Sequence, residues 1–295
     1  MGAALGSHPV IVTVLSASVV VGFVAAGEMV VQGGAKVARH SAPATRASRI
    51  PTTTGASVAM SATTTTQVAP SSSCAARPRP PAGYVETFDD EFNGASLDTQ
   101  WVPYWLEPRG GNVQNGTVME NANVAVSGGD LRLTLTDTSG AIVSTNPNGG
   151  VADGFAFTYG YVAACIWLPG NASVANWPAF WTDGQRWPTD GEIDIMEGLE
   201  GGSVCYHFHS SDGGPGSCVA GDYTGWHLYA ATWTPGSVTY SYDGVALSTI
   251  TQGITSSPMY LILENSSTNH GSGGPVLTPS TMLVDYVRVY QAPGG

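Results

Sequence analysis

Positive charge is nearly missing from most of this chain of 295 residues. Residues 81–295 contain no Lys and only four Arg against 21 Asp and Glu, a formal charge of −17. Such a surface repels phosphate backbones, which excludes nucleic acid as a partner. The basic residues concentrate upstream, where Lys36, Arg39, Arg46, Arg49, Arg77 and Arg79 face a single acid, Glu28. Internal repeats are also missing, and residues 84–292 offer no convincing 3.6-residue apolar period, so solenoids and helical bundles are excluded. What is abundant is Gly (38), Pro (19), Trp (8) and Tyr (12), with only 11% charged residues. That mixture suits a turn-rich β protein with aromatic surfaces, and a neutral ligand such as a sugar is compatible with its charge.

The N-terminus reads "HPVIVTVLSASVVVGFVAAGE", almost wholly apolar over residues 10–26 and ending in Ala25, Ala26 and Gly27. Residues 1–27 are therefore expected to be a secretory signal or a retained membrane anchor, although the n-region has only His8. Both place the rest of the chain outside the cytoplasm, and membrane contact is expected only if the segment is retained. Residues 28–83 are rich in Ser, Thr, Ala and Pro with no surviving period, and read as a disordered linker. One folded domain remains, residues 84–292, large enough for a sizeable core. It is expected to act as a monomer.

Only four cysteines are present. In an exported chain they invite disulfide pairing. Cys205 and Cys218 enclose the turn-rich "YHFHSSDGGPGS" and are expected to pair, whereas the pairing of Cys74 and Cys165 is open. Zinc held by Cys205, His207, His209 and Cys218 is the alternative, disfavoured because structural zinc sites show tighter Cys-x₂₋₄-Cys spacing.

Short alternating runs recur between turn residues: "DLRLTLTD" (130–137), "YGYVAACIWLP" (159–169), "SVTYSYDG" (237–244), "MYLILEN" (259–265) and "TMLVDYVRVYQ" (281–291) among them. Eight or more such strands predict an all-β sandwich or jelly roll, with Asp243-Gly244 marking a hairpin.

One run, "DGEIDIMEGLEG" (190–201), concentrates acids to a degree that strand pairing does not favour. In a flat strand Glu192 and Asp194 share a face and Glu197 points to the other, into the core, at a cost. A β-bulge at Ile195–Met196 corrects the phase and puts Glu192, Asp194 and Glu197 in one groove. Asp190 and Glu200 read as ordinary loop acids. Three grouped acids suit cleavage of a glycosidic bond with retention, where a carboxylate attacks the anomeric carbon and a protonated partner serves the leaving oxygen. Crowding raises the pKa of at least one of them. A solvated acidic face and a calcium site are the plainer readings. Immediately upstream, "NWPAFWTDGQRWPTD" supplies Trp177, Trp181 and Trp187, whose faces can stack on pyranose rings. Trp177 and Trp181 share parity, with Phe180 opposite in the core.

"WPAFW" followed by "GEIDIME" resembles glycoside hydrolase family 16, the laminarinase-like β-glucanases. "FDDEFNGASLDTQWVPYW" (88–105), "GGDLRLTL" (128–135), "PMYLIL" (258–263) and "MLVDYVRVYQ" (282–291) resemble it too, in the family's order. The resemblance implies a concanavalin-like β-jelly-roll of two curved antiparallel sheets with a concave cleft, and a secreted retaining endo-β-glycosidase acting on β-1,3- or β-1,3-1,4-glucan. It implies Glu192 as nucleophile, Glu197 as general acid/base and Asp194 as the group assisting the nucleophile. Trp177, Trp181, Trp187 and His207 are the expected substrate contacts, His207 being preferred over His209 on the same strand face. No cofactor is implied for catalysis; some members bind a structural Ca²⁺, and Glu91, Gly129 and Asp285 are the matching positions. A lectin-like carbohydrate-binding module on the same fold and a wall-polysaccharide transglycosylase are the rival functions. Three features depart from the family: "ENSSTNHGSGGP" (264–275), Cys165 in place of a basic residue, and a short 198–224 segment.

Overall fold

The computed structural model describes residues 73–105, 113–114, 116–148, 153–199, 201–267 and 275–294. All lie in one of the chain's two compact units, residues 67–295. The expected signal or anchor and most of the expected linker lie outside the described residues, as do Glu200 and residues 268–274.

The strands run in chain order as follows. β1 (Val85–Asp90) is followed by the small hairpin of β2 (Val113–Gln114) and β3 (Thr117–Val118), then β4 (Val124–Ser127), β5 (Asp130–Leu135), β6 (Ala141–Ser144) and β7 (Ala156–Phe157). The central run is β8 (Gly160–Leu168), β9 (Trp177–Asp183), β10 (Glu192–Glu197), β11 (Ser203–His209) and β12 (Gly216–Ala220). β13 (Gly225–Thr234), β14 (Ser237–Tyr242), β15 (Val245–Ile250), β16 (Met259–Ser266) and β17 (Ser280–Gln291) complete it. One sheet has the order β15-β14-β13-β8-β17-β5-β4 with β1 also on β17; the other has β12-β11-β10-β9-β16-β6 with β7 on β16. All named pairings are antiparallel. This is the expected jelly-roll sandwich.

Period-two alternation decides what each face does. Val162, Ala164 and Ile166 of β8 meet Val204, Tyr206 and Phe208 of β11 and Leu261 and Leu263 of β16 in one core between the sheets. The other face of the seven-stranded sheet carries Trp177, Ala179 and Trp181 of β9 and Glu264 of β16, which line a cleft.

β8 is buried along almost its whole length, on both faces. Its outward residues Tyr161, Ala163 and Cys165 are covered by Cys74, Ala76 and Tyr84, together with Trp226, Tyr286 and Tyr290. Residues 73–83, expected within the disordered linker, are therefore part of the packed domain. Cys74 is 1% exposed and disulfide-bonded to Cys165, and Arg79 N donates to Tyr161 Oη at 3.1 Å. The pair sits beyond the reach of composition-based reading, because a few apolar contacts, a backbone hydrogen bond and one sulfur bond fix a segment that has no period of its own. Cys205 pairs with Cys218, as expected, across neighbouring strands. With both sulfurs bonded to each other, the zinc alternative loses its thiolate ligands.

The Cys74–Cys165 bond closes a loop with a sequence separation of 91. Loops of that length give a cross-link its largest effect on the unfolded chain. A chain beginning at residue 84 should be less stable than one beginning at residue 73 by roughly 2–4 kcal/mol, read as a lower midpoint in urea unfolding.

Candidate active site

The bulge in β10 is the local event that builds the site. Against β9, Asp194 pairs with Trp181 but Met196 with Phe180; against β11, Asp194 pairs with His207 and Glu197 with Cys205. Ile195 is the extra residue. Ile195 and Met196 both turn into the core, each 0% exposed, and Glu197 emerges on the face of Glu192 and Asp194.

These acids line a cleft of about 220 Å³ with Gln114, Trp177, Trp181, Trp187, His209 and Glu264. The solvated-face reading fails on burial, since Asp194 is 5% exposed, Glu197 8% and Glu264 1%. Register explains the assembly. Glu192 lies opposite His209 on one side and Asp183 on the other, while Glu197 lies opposite Ala179, which in turn faces Glu264.

Each acid has defined neighbours. Trp177 Nε1 donates to Glu197 Oε1 at 3.3 Å, and His207 Nδ1 lies 2.7 Å from Glu197 Oε2. The two contacts hold both oxygens of that carboxyl group. His209 Nε2 lies 3.2 Å from Asp194 Oδ2 and 3.8 Å from Glu192 Oε1. Behind Glu192, Asp183 Oδ2 accepts from Trp105 Nε1 at 3.2 Å and from Tyr260 Oη at 3.4 Å, and Trp105 packs edge-on against Trp181.

Burial and mutual repulsion shape the charges. Glu192 is pushed up to about 10, first by burial, then by Asp194 and Asp183, with His209 opposing. Asp194 is raised well above the ordinary carboxylate range, by burial and then by Glu197, Asp183 and Glu264; a hydrogen bond with Glu192 works the other way. Asp183 rises to about 7, mainly from burial. A cluster of this kind holds protons at neutrality.

The three tryptophans of the upstream run all line the cleft, in different states. Trp181 is 4% exposed and forms a wall, Trp177 is half-buried against Glu197, and Trp187 projects with 59% exposed. Asp190 is not an ordinary loop acid. It is buried, accepts from Arg186 Nη2 at 2.9 Å and from Ser257 Oγ at 3.2 Å, and its carbonyl accepts from Thr255. It thereby secures the turn that carries Trp187.

Of the further site groups, His209 was weighed in the sequence only as second choice to His207, and Asp183 and Glu264 were not singled out. Parity pointed to the first two, each lying two residues beyond a side chain already placed in the cleft. Glu264 gave the weaker signal of an acid ending an apolar strand. Trp105 reaches the site through a loop, and no local pattern marks it.

The calcium expectation finds its donors engaged. Glu91 Oε1 accepts from Arg288 Nε at 2.8 Å, and Asp285, at the register shift in β17, lies in the field of Arg77 and Arg288. Two guanidinium groups already supply the counter-charge. The Glu91 carboxylate is thus committed to Arg288, and no step is assigned to a cation at Glu91, Gly129 and Asp285.

Comparisons with known proteins point the same way. Residues 155–218 match the family model described as "XgeA-like, catalytic GH16 domain". The chain is 28% identical over 244 residues to the endo-1,3-1,4-beta-glycanase EglC of Rhizobium meliloti, covering 70% of this chain and 51% of that protein. It is 30% identical over 252 residues to the keratan-sulfate endo-1,4-beta-galactosidase of Sphingobacterium multivorum, covering 71% and 56%. The chain thus spans about half the length of these relatives. Among solved structures, SCLam, a non-specific endo-beta-1,3(4)-glucanase from family GH16, superposes with a TM-score of 0.59 at 26% identity, over 73% of this chain and 94% of that one. A laminarinase from Flavobacterium sp. UMI-01 shares the fold with a TM-score of 0.58 at 24% identity, over 70% and 100%. With the acid-bearing strand and its tryptophan-rich neighbour inside the matched residues 155–218, and the two-sheet architecture shared with SCLam, the described domain is similar to the catalytic domains of glycoside hydrolase family 16.

Proposed function

We propose that this domain is a secreted endo-β-glycosidase that hydrolyses β-1,3- or β-1,3-1,4-linked glucan with net retention of anomeric configuration. The observation that carries the reading is the placing of Glu192, Asp194 and Glu197 side by side in an aromatic-walled cleft by one extra strand residue. A lectin would gain nothing from burying these acids, which costs stability unless ionisation is put to use.

The reaction needs two steps. A Glu192 oxygen attacks the anomeric carbon while the bond to the leaving oxygen breaks and Glu197 delivers its proton there. Water then attacks the same carbon, Glu197 takes the water's proton, and the ester to Glu192 is released. Glu192 and Asp194 share a proton at neutral pH. Glu192 donates to Asp194 in the resting site, and it attacks as the anion once that proton has passed to Asp194. Trp177 and His207 hold the plane of the Glu197 carboxyl against the leaving oxygen.

Charge narrows the substrate. The cleft is lined by Glu192, Asp194, Glu197 and Glu264, and no Arg or Lys is among its described lining residues. Sulfate or carboxylate groups on a glycan would be repelled and would find no guanidinium to bind. Uncharged glucan fits, as the name of the Rhizobium relative also suggests, and sulfated glycans do not. Export agrees with two disulfides among the described residues.

Assay on laminarin and lichenan, with agarose, carrageenan and galactan alongside, is the direct test. Cleavage of the first two is expected, with little on carrageenan, whereas binding without cleavage on every glycan would identify a lectin. Oligosaccharide lengthening in place of reducing-end release would identify transfer. Glu192→Gln and Glu197→Gln should each lower kcat/KM on the cleaved glucan by about 10³-fold or more; comparable activity in either overturns its assignment.

Stability gives an independent check. A carboxylate whose folded pKa lies above its unfolded value favours folding only while protonated, so its cost grows as pH rises above about 4.5. Glu192→Gln should therefore be more stable than wild type at pH 7.5, by roughly 1–3 kcal/mol. The gain should vanish at pH 4, where both states carry the proton. Urea unfolding at the two pH values reads this directly.

A further inference from the structure

The bulge that brings Glu197 into the cleft has a holder on the opposite sheet. A bulged residue leaves the ladder, and its backbone groups need partners elsewhere. Ile195 O accepts from Tyr242 Oη at 2.8 Å, and the same hydroxyl lies 3.2 Å from Cys205 O. Cys205 is the cross-strand partner of Glu197. One phenol from β14 thus sits between the bulged carbonyl and the carbonyl opposite the acid, having crossed the core to reach them. Its neighbour two residues back does the same for the next strand, since Tyr240 Oη donates to His207 O at 2.6 Å.

Tyr242 is itself fixed. Asp243 and Gly244 both have positive φ, 50° and 78°, giving the two-residue turn that sets Tyr242 opposite Val245. The ring is 3% exposed and stands edge-on to Tyr229 at 5.0 Å and to Tyr223 at 5.7 Å. Burial raises its phenol well above the ordinary value, so the hydroxyl remains a donor throughout the working range.

We infer that Tyr242 is a positioning residue for the general acid/base: its hydroxyl locks the Ile195 bulge and thereby the direction of Glu197. The inference rests on the roles proposed above for Glu192 and Glu197. Losing the hydroxyl frees the bulge to shift phase, which moves Glu197 while Glu192, on the regular side of the bulge, keeps its place. Proton delivery to the leaving oxygen should then suffer and nucleophilic attack should not.

The test is Tyr242→Phe, with Tyr229→Phe as control, since the Tyr229 hydroxyl is buried without a hydrogen-bond partner. On laminarin, whose leaving oxygen needs a proton, kcat/KM should fall about 10- to 100-fold in Tyr242→Phe. On 2,4-dinitrophenyl β-laminaribioside, whose leaving group needs none, it should fall less than about threefold. Equal losses on both substrates, or none, overturn the inference, as does an equal loss in Tyr229→Phe. Amide hydrogen exchange followed by mass spectrometry is read whatever the substrate. Peptides covering residues 192–199 should exchange at least about tenfold faster in Tyr242→Phe, with β17 unchanged; unchanged exchange in 192–199 overturns the inference. An inactive wild type with faster exchange in the variant would refute the glucanase reading and leave Tyr242's hold on the bulge standing.

Discussion

Everything distinctive about this domain depends on one extra residue in one strand. Without Ile195, β10 would turn Glu197 into the core beneath the sheet, where a carboxyl group has no partner and a large cost. With it, two apolar side chains in succession, Ile195 and Met196, enter the core and the acid returns to the cleft. The bulge gives up ladder hydrogen bonds on both sides, and the recovered stability comes from apolar burial and from a tyrosine that reaches across the sandwich. The core and the site are thus made by the same two residues.

That arrangement explains how buried acids are tolerated. Glu192, Asp194 and Asp183 are all driven toward the protonated form by burial before any charge acts on them. Repulsion among them then guarantees that they do not all ionise together, and two imidazoles on β11 lie against Glu197, Asp194 and Glu192. The stability given up here is supported by a core filled on both sides of β8 and by two disulfides. A destabilised site inside an over-supported frame is the usual compromise between activity and folding.

Much of this was legible in the sequence because it is periodic. Glu192 and Asp194 announce a shared face by parity, and the misplaced phase of Glu197 announces the bulge, since its alternative is a buried charge. Trp177 and Trp181 follow from the same alternation. What was not legible depends on contacts distant in the chain. Trp105 meets Asp183 through a loop, Asp190 gains partners from residues 255 and 257, and Cys74 finds Cys165 a sequence separation of 91 away. None of these leaves a local pattern, and a Ser/Thr-rich segment gives no sign of where its packed part begins. The Glu91–Arg288 pair is of the same kind: Arg288 lies on the same strand as Asp285, and only the fold shows that its guanidinium reaches Glu91.

The hairpin between β14 and β15 shows how local and distant information combine. Asp243-Gly244 is a short-range signal, readable from the sequence as a turn and realised with both residues at positive φ. Its consequence is long-range, because the turn fixes which residue of β14 faces the core at the level of the bulge. Parity then places Tyr240 and Tyr242 inward together, and both donate to backbone carbonyls on the acid-bearing and histidine-bearing strands. Phenylalanine would fill the same space but leave those carbonyls without a donor in a medium where that is costly. The choice of tyrosine over phenylalanine at these two positions is therefore best understood as a requirement of the opposite sheet, whose strands need an outside donor wherever their own ladder is interrupted.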